Sequence, residues 1–99
     1  MNKVLAVLGL SYFLLNIQAC ATALPAQEMS NARQTLKTAQ DAGALTYAKD
    51  MYIRAKGFLD EAANYLNSGD FYNARLMALQ ATEEAKEAHL VAVNRKKYE

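Results

Sequence analysis

Cysteine, histidine and proline each occur once in the 99 residues, and tryptophan does not occur. A single cysteine cannot close a disulfide within the chain, so a disulfide scaffold is excluded. One Cys and one His also fall short of the ligands that a structural zinc site needs. Neither sign of charge is in excess, with 11 Lys+Arg against 10 Asp+Glu and a formal net charge of +1. That balance argues against nucleic acid as a partner, because such binding needs a basic surface. There is no glycine-rich phosphate loop, no metal motif and no run that alternates with a period of two. What is abundant is alanine. It supplies 19 residues, so the 53% apolar share overstates the bulk available for a core. The length suits one small domain, and 21% charged residues is ordinary for a folded one.

The first residues read as an address. Met1–Lys3 is a short basic start, and Val4–Leu15 is a nearly unbroken apolar run, VLAVLGLSYFLL. Twelve helical residues reach about 18 Å at a rise of about 1.5 Å each. A bilayer core is about 30 Å thick and needs about 20 apolar residues. The run is too short for a comfortable span, and Asn16 and Gln18 then interrupt it. A basic start, a short apolar stretch and small residues after it predict a secretory signal peptide over residues 1–19. Two cleavage points are open. Ile17-Gln18-Ala19-Cys20 resembles the lipobox of bacterial lipoproteins, in which the cysteine is lipidated and becomes the new N-terminus; a small residue is more usual where Gln18 stands. Ala21-Thr22-Ala23 offers an ordinary A-x-A site. The lipobox is preferred, because the only cysteine sits where a lipobox requires one. By resemblance to enterobacterial sorting, Ala21 after the cysteine implies the outer membrane. Residues 20–26, with the only proline at Pro25, are then a lipidated tether.

Beyond the tether one spacing dominates. Met29, Ala32, Leu36 and Ala39 step by threes and fours, as do Ala48, Tyr52, Ala55, Leu59, Ala62 and Leu66. Phe71, Ala74, Ala78, Ala81, Ala85, Ala88 and Ala92 repeat the rhythm. This is helical periodicity. It predicts an all-α domain over residues 27–99, with helices about 27–42, 47–67 and 71–97. Gly43 suits a helix end, Thr46 a cap, and Asn67-Ser68-Gly69-Asp70 a turn with Gly69 left-handed and Asp70 capping the helix that follows. Such a short turn folds the last two helices back as an antiparallel hairpin. The six alanines of the last helix form a seam that lets helices approach closely. Tyr52, Leu59, Leu66 and Phe71 are expected to fill the opposing side. The first of the three helices packs beside the hairpin, giving a three-helix bundle preceded by the signal-peptide helix. Gly57 is either a point of close packing or a tolerated surface residue.

Two further stripes lie off the seam. Met51, Phe58, Tyr65 and Tyr72 recur at sevens, and Leu76, Leu79, Leu90 and Val93 flank the last helix on its other side. Both can complete the core; alternatively, part of one is a helix-docking surface, with Leu76, Leu79, Leu90 and Val93 as partner-binding residues. Chemistry is scarce. His89 has no nucleophile or acid at a catalytic spacing and reads as a packing or surface residue. Glu83, Glu84 and Glu87, with Lys86 among them, read as a solvated face rather than an acid–base pair. Asp50 and Arg54 have the spacing of a weak surface pair. The tyrosines read as packing residues, and Arg95, Lys96 and Lys97 as helix-terminal charges. No catalytic residue, metal ligand or cofactor site is expected.

Asp41–Ala48 reads D-A-G-A-L-T-Y-A; Ala55, Leu59, Ala62 and Leu66 follow, then Gly69-Asp70-Phe71 and the alanine ladder from Ala74 to Ala88. These landmarks resemble DUF4398, a family of small bacterial lipoproteins with a helical domain of unknown function. Lys49 departs from the pattern, where the family often has proline. The resemblance covers about residues 20–93. It implies an envelope location, no enzyme activity and no catalytic residues. The expected function is therefore that of a non-enzymatic outer-membrane lipoprotein, a periplasmic structural or adaptor module. It would be held to the membrane through lipid on Cys20 and would meet an envelope protein or a second copy of itself. The alternative is a pilotin-like escort, or accessory subunit, that binds a helix or peptide of a secretion or pilus machine. Neither nucleic acid nor a small-molecule substrate is expected.

Overall fold

A computed structural model describes residues 24–99. The signal-peptide and lipidation expectations, Cys20 among them, lie outside the described residues. Within them the chain is all-helical: α1 is Ala26–Asp41, α2 is Ala44–Tyr47, α3 is Lys49–Asn67 and α4 is Phe71–Lys97. The first helix starts one residue earlier than its periodicity suggested. Pro25, with φ −74°, needs no N–H partner there, and its carbonyl accepts from Met29 N–H at 3.1 Å.

The break at residues 42–44 differs from the expectation. Gly43 does end α1, at φ +94°, a conformation that side chains disfavour. The chain then makes one extra helical turn, α2, with the Gly43 carbonyl accepting from Thr46 N–H at 3.0 Å and Tyr47 N–H at 2.9 Å. Thr46 is inside that turn and caps nothing. The residue that opens α3 is Ala48, at φ −147° and ψ 45°, with no side-chain cap. Ala48 is buried, so a tertiary contact takes the place of capping chemistry.

The α3–α4 turn is built from local bonds. Asp70 N–H donates to Tyr65 O at 2.9 Å and Gly69 N–H to Leu66 O at 3.1 Å, with Gly69 at φ +82°. These nested bonds are a Schellman motif, which satisfies carbonyls left over at the end of α3. One Asp70 carboxylate oxygen accepts from Asn73 N–H at 3.1 Å, and the other from the Asn73 side-chain amide at 2.7 Å. The two bonds hold the Asp70 carboxyl below the ordinary carboxylate range.

Alanine makes up most of the core. Three buried layers run along the molecule: Met29 with Ala62 and Ala78; Leu36 with Ala55 and Ala85; Ala39, Ala44 and Ala48 with Ala88 and Ala92. Residue numbers rise through these layers in α1 and α4 and fall in α3. Each layer contains α4, whose Ala74, Ala78, Ala81, Ala85, Ala88 and Ala92 are wholly buried. Tyr52, Leu59 and Leu66 pack at the edges. Phe71 does not; it begins α4 and is 39% exposed. Gly57 faces open space, so its role is that of a tolerated surface residue.

Ion pairs tie the outer helices to α4. Glu28 of α1 meets Arg75 at 3.0 Å, and Arg54 of α3 meets Glu84 at 3.4 Å. The second pair replaces the expected Asp50–Arg54 pair, because the carboxylate of Glu84 is half-buried beside α3. At such exposure each is worth about 1 kcal/mol or less, so the layers rather than the charges set the arrangement.

Replacing Ala81 with Leu forces a larger side chain between closely packed backbones, and a loss of about 1–3 kcal/mol is expected in a thermal or urea melt. An unchanged midpoint would mean that the alanine face is not packed. Asp70 also makes stability depend on pH. Its folded pKa lies below the ordinary value, so its contribution is complete above about pH 5 and declines as pH falls through the ordinary and then the folded pKa. Urea midpoints should therefore fall more steeply between about pH 5 and pH 3 in the wild type than in Asp70→Asn, which keeps a capping oxygen without the charge. Parallel curves would remove the carboxylate from the account.

Candidate functional site

A helix turns by about 100° per residue, so positions that recur at threes and fours share a face. The buried alanines occupy one side of α4. Leu76, Leu79, Leu90 and Val93 stand roughly opposite and are 41%, 49%, 58% and 45% exposed. They do not complete the core of the chain. Tyr72 continues the same face one step earlier and is 70% exposed. Glu83 and Lys86 occupy its middle and meet at 3.4 Å, both exposed. The four apolar residues that the sequence analysis singled out are thus on one continuous face, together with Tyr72, which had been assigned to a different stripe. That other stripe divides: Met51 packs against the core, while Tyr65 is exposed with Tyr72. Three of the five described tyrosines, Tyr65, Tyr72 and Tyr98, are exposed rather than packed.

An open groove of about 470 Å³ runs beside this face, between α1 and α4, lined by Gln34, Thr35, Thr38, Lys86, His89 and Leu90. Its polar groups are largely occupied. Thr35 and Thr38 donate to the carbonyls of Asn31 and Gln34 at 2.7 and 3.0 Å, and Lys86 is paired with Glu83. His89 is half-buried, and its Nδ1 is buried without a hydrogen-bond partner among the described residues. A catalytic imidazole is normally oriented by a bond at one nitrogen while the other works. This ring lacks that partner at Nδ1.

A second groove of about 370 Å³ lies by the C-terminal end of α4, lined by residues that include Tyr47, Asp50, Arg54 and Arg95. Here the basic tail of α4 has a structural task that sequence reasoning missed. Arg95 donates to the Tyr47 carbonyl at 2.5 Å, and the Tyr47 hydroxyl donates to the Glu99 carboxylate. The bond to the carboxylate raises the Tyr47 pKa by favouring the protonated phenol. These contacts fasten the extra turn α2 to the end of α4. The signal in the sequence was an arginine 48 residues away, which no local pattern connects to Tyr47.

Among the described residues no group of acidic, His and Cys side chains is arranged to hold a metal ion. No helix among them is long and apolar enough to cross a membrane. No protein-family model, curated protein or solved structure matches the chain. The outward face of α4 is therefore the feature with the clearest physical demand for an explanation, since an apolar row in water is a standing incentive to associate.

Proposed function

We propose that this chain is a non-enzymatic, lipid-anchored adaptor of a bacterial outer membrane, a three-helix bundle that works in the periplasm after removal of the signal peptide at residues 1–19. The observation that carries the adaptor reading is the exposed row Leu76, Leu79, Leu90 and Val93 on α4, opposite a closed alanine core. An amphipathic face of this kind is suited to a helical partner. The anchor reading rests on Cys20, the one cysteine of the sequence, placed after Ile17-Gln18-Ala19. Each buried acyl CH₂ contributes about 0.8 kcal/mol, so the several chains of a lipoprotein hold it stably at a membrane. The resemblance to DUF4398 lipoproteins supports the same location. On the pilotin-like alternative, the same face would instead cover a helix of a secretion or pilus machine.

Intact mass of the protein taken from its native membrane fraction tests the anchor. The expected mass begins at Cys20 and is increased by acyl chains. A mass that begins at Leu24 without lipid would overturn the anchor and with it the membrane location.

A further inference from the structure

The outward face of α4 can be written as a heptad seam. Leu76, Glu83, Leu90 and Lys97 take one position, and Tyr72, Leu79, Lys86 and Val93 the other. Read from either end the inner six give the same pattern: two apolar residues, two charged residues, two apolar residues. The charges are of opposite sign, so the pattern is complementary to its own reverse. An unrelated partner helix has no need of that symmetry, whereas a second copy related by a two-fold axis requires it.

We propose that two copies of this chain associate through α4, with the two helices antiparallel. In this register Leu76 faces the partner's Val93, Leu79 faces the partner's Leu90, and Glu83 faces the partner's Lys86. The two-fold axis repeats each pair, so two cross-chain ion pairs sit at the centre, between apolar layers. Tyr72 meets the partner's Lys97 at each end, a pairing of ring and cation. The one like-charged approach is Arg75 towards the partner's Lys96, at the flank, and Arg75 is already held by Glu28 at 3.0 Å. A parallel pairing would set Glu83 against Glu83 and Lys86 against Lys86, so the charges select the antiparallel arrangement. The seam from Tyr72 to Lys97 is about 38 Å long, at about 1.5 Å per residue. It deepens the adaptor reading by naming the first occupant of the α4 face, and it rests on that reading.

Sedimentation equilibrium of the full chain in detergent tests this, using wild type, Glu83→Lys, Lys86→Glu, the double swap, and an equimolar mixture of the two single variants. Glu83 and Lys86 are exposed, so the fold is expected to survive, and far-UV circular dichroism checks it. Wild type and double swap should dimerise with similar Kd. Each single variant places like charges at the centre and should weaken the dimer at least about tenfold. The mixture should recover it, since each lysine then faces a glutamate. A wild type that stays monomeric throughout would overturn the proposal, as would single variants that dimerise as tightly as wild type. Either failure leaves the lipid-anchor reading standing or falling on the mass of the native protein alone.

Discussion

The arrangement depends on the close approach of helices against the alanine face of α4. A methyl group is the largest side chain that six successive inward positions of this helix carry, and all six are wholly buried. Side chains this small let helix backbones approach towards the short end of the usual separation of about 8–10 Å, where dispersion contacts involve main-chain atoms as well as side chains. Larger residues enter from the neighbouring helices: Met29 and Leu36 of α1 are buried in the layers, and Tyr52, Leu59 and Leu66 of α3 pack at their edges. The seam fixes where α1 and α3 lie, and the turn at residues 68–70 and the α2 clasp then have definite ends to join.

A core made this way is dense but thin. Few of its side chains bury much apolar area, and domains of this size have little margin. Meanwhile Leu76, Leu79, Leu90 and Val93 of α4 are exposed away from the core, and Met77 and Val91 pack at its edge. The helix is thus apolar on two faces, one filled within the chain by methyl groups and one left to be filled from outside. This placing of alanines inward and leucines outward connects the fold to the proposed function. The same helix that organises the bundle carries the proposed docking surface, so on that proposal association and folding are expected to reinforce one another.

Much of the fold was legible in the sequence because its determinants are local. The 3-4 spacing of alanines marks the buried face of α4, and Gly69-Asp70 marks a turn whose bonds lie within six residues. What was not legible depended on distance along the chain. Ala48 opens α3 because it is buried against α4, while the local chemistry favoured Thr46. Arg54 turns to Glu84 on another helix, and Arg95 to the Tyr47 carbonyl, pairings that no i,i+4 rule contains. The candidate face was legible in part. Leu76, Leu79, Leu90 and Val93 stand out as a stripe by spacing, but periodicity alone cannot say whether a stripe faces a neighbouring helix or water. Tyr72 was grouped with Met51 and Phe58 because it shares their sevenfold spacing across the turn. Spacing loses its meaning there, since the turn restarts the helical phase.

The most direct test of the central claim is the set of methyl–methyl nuclear Overhauser effects from the β-carbons of the α4 alanines. The expected result is cross-peaks from Ala85 to both Ala55 and Leu36, and from Ala78 to both Ala62 and Met29, as the layered packing requires. Ala85 and Ala78 showing contacts only within α4, with cross-peaks from Leu79 and Leu90 to α1 and α3 in their place, would contradict the account, because the helix would then be turned with its large residues inward.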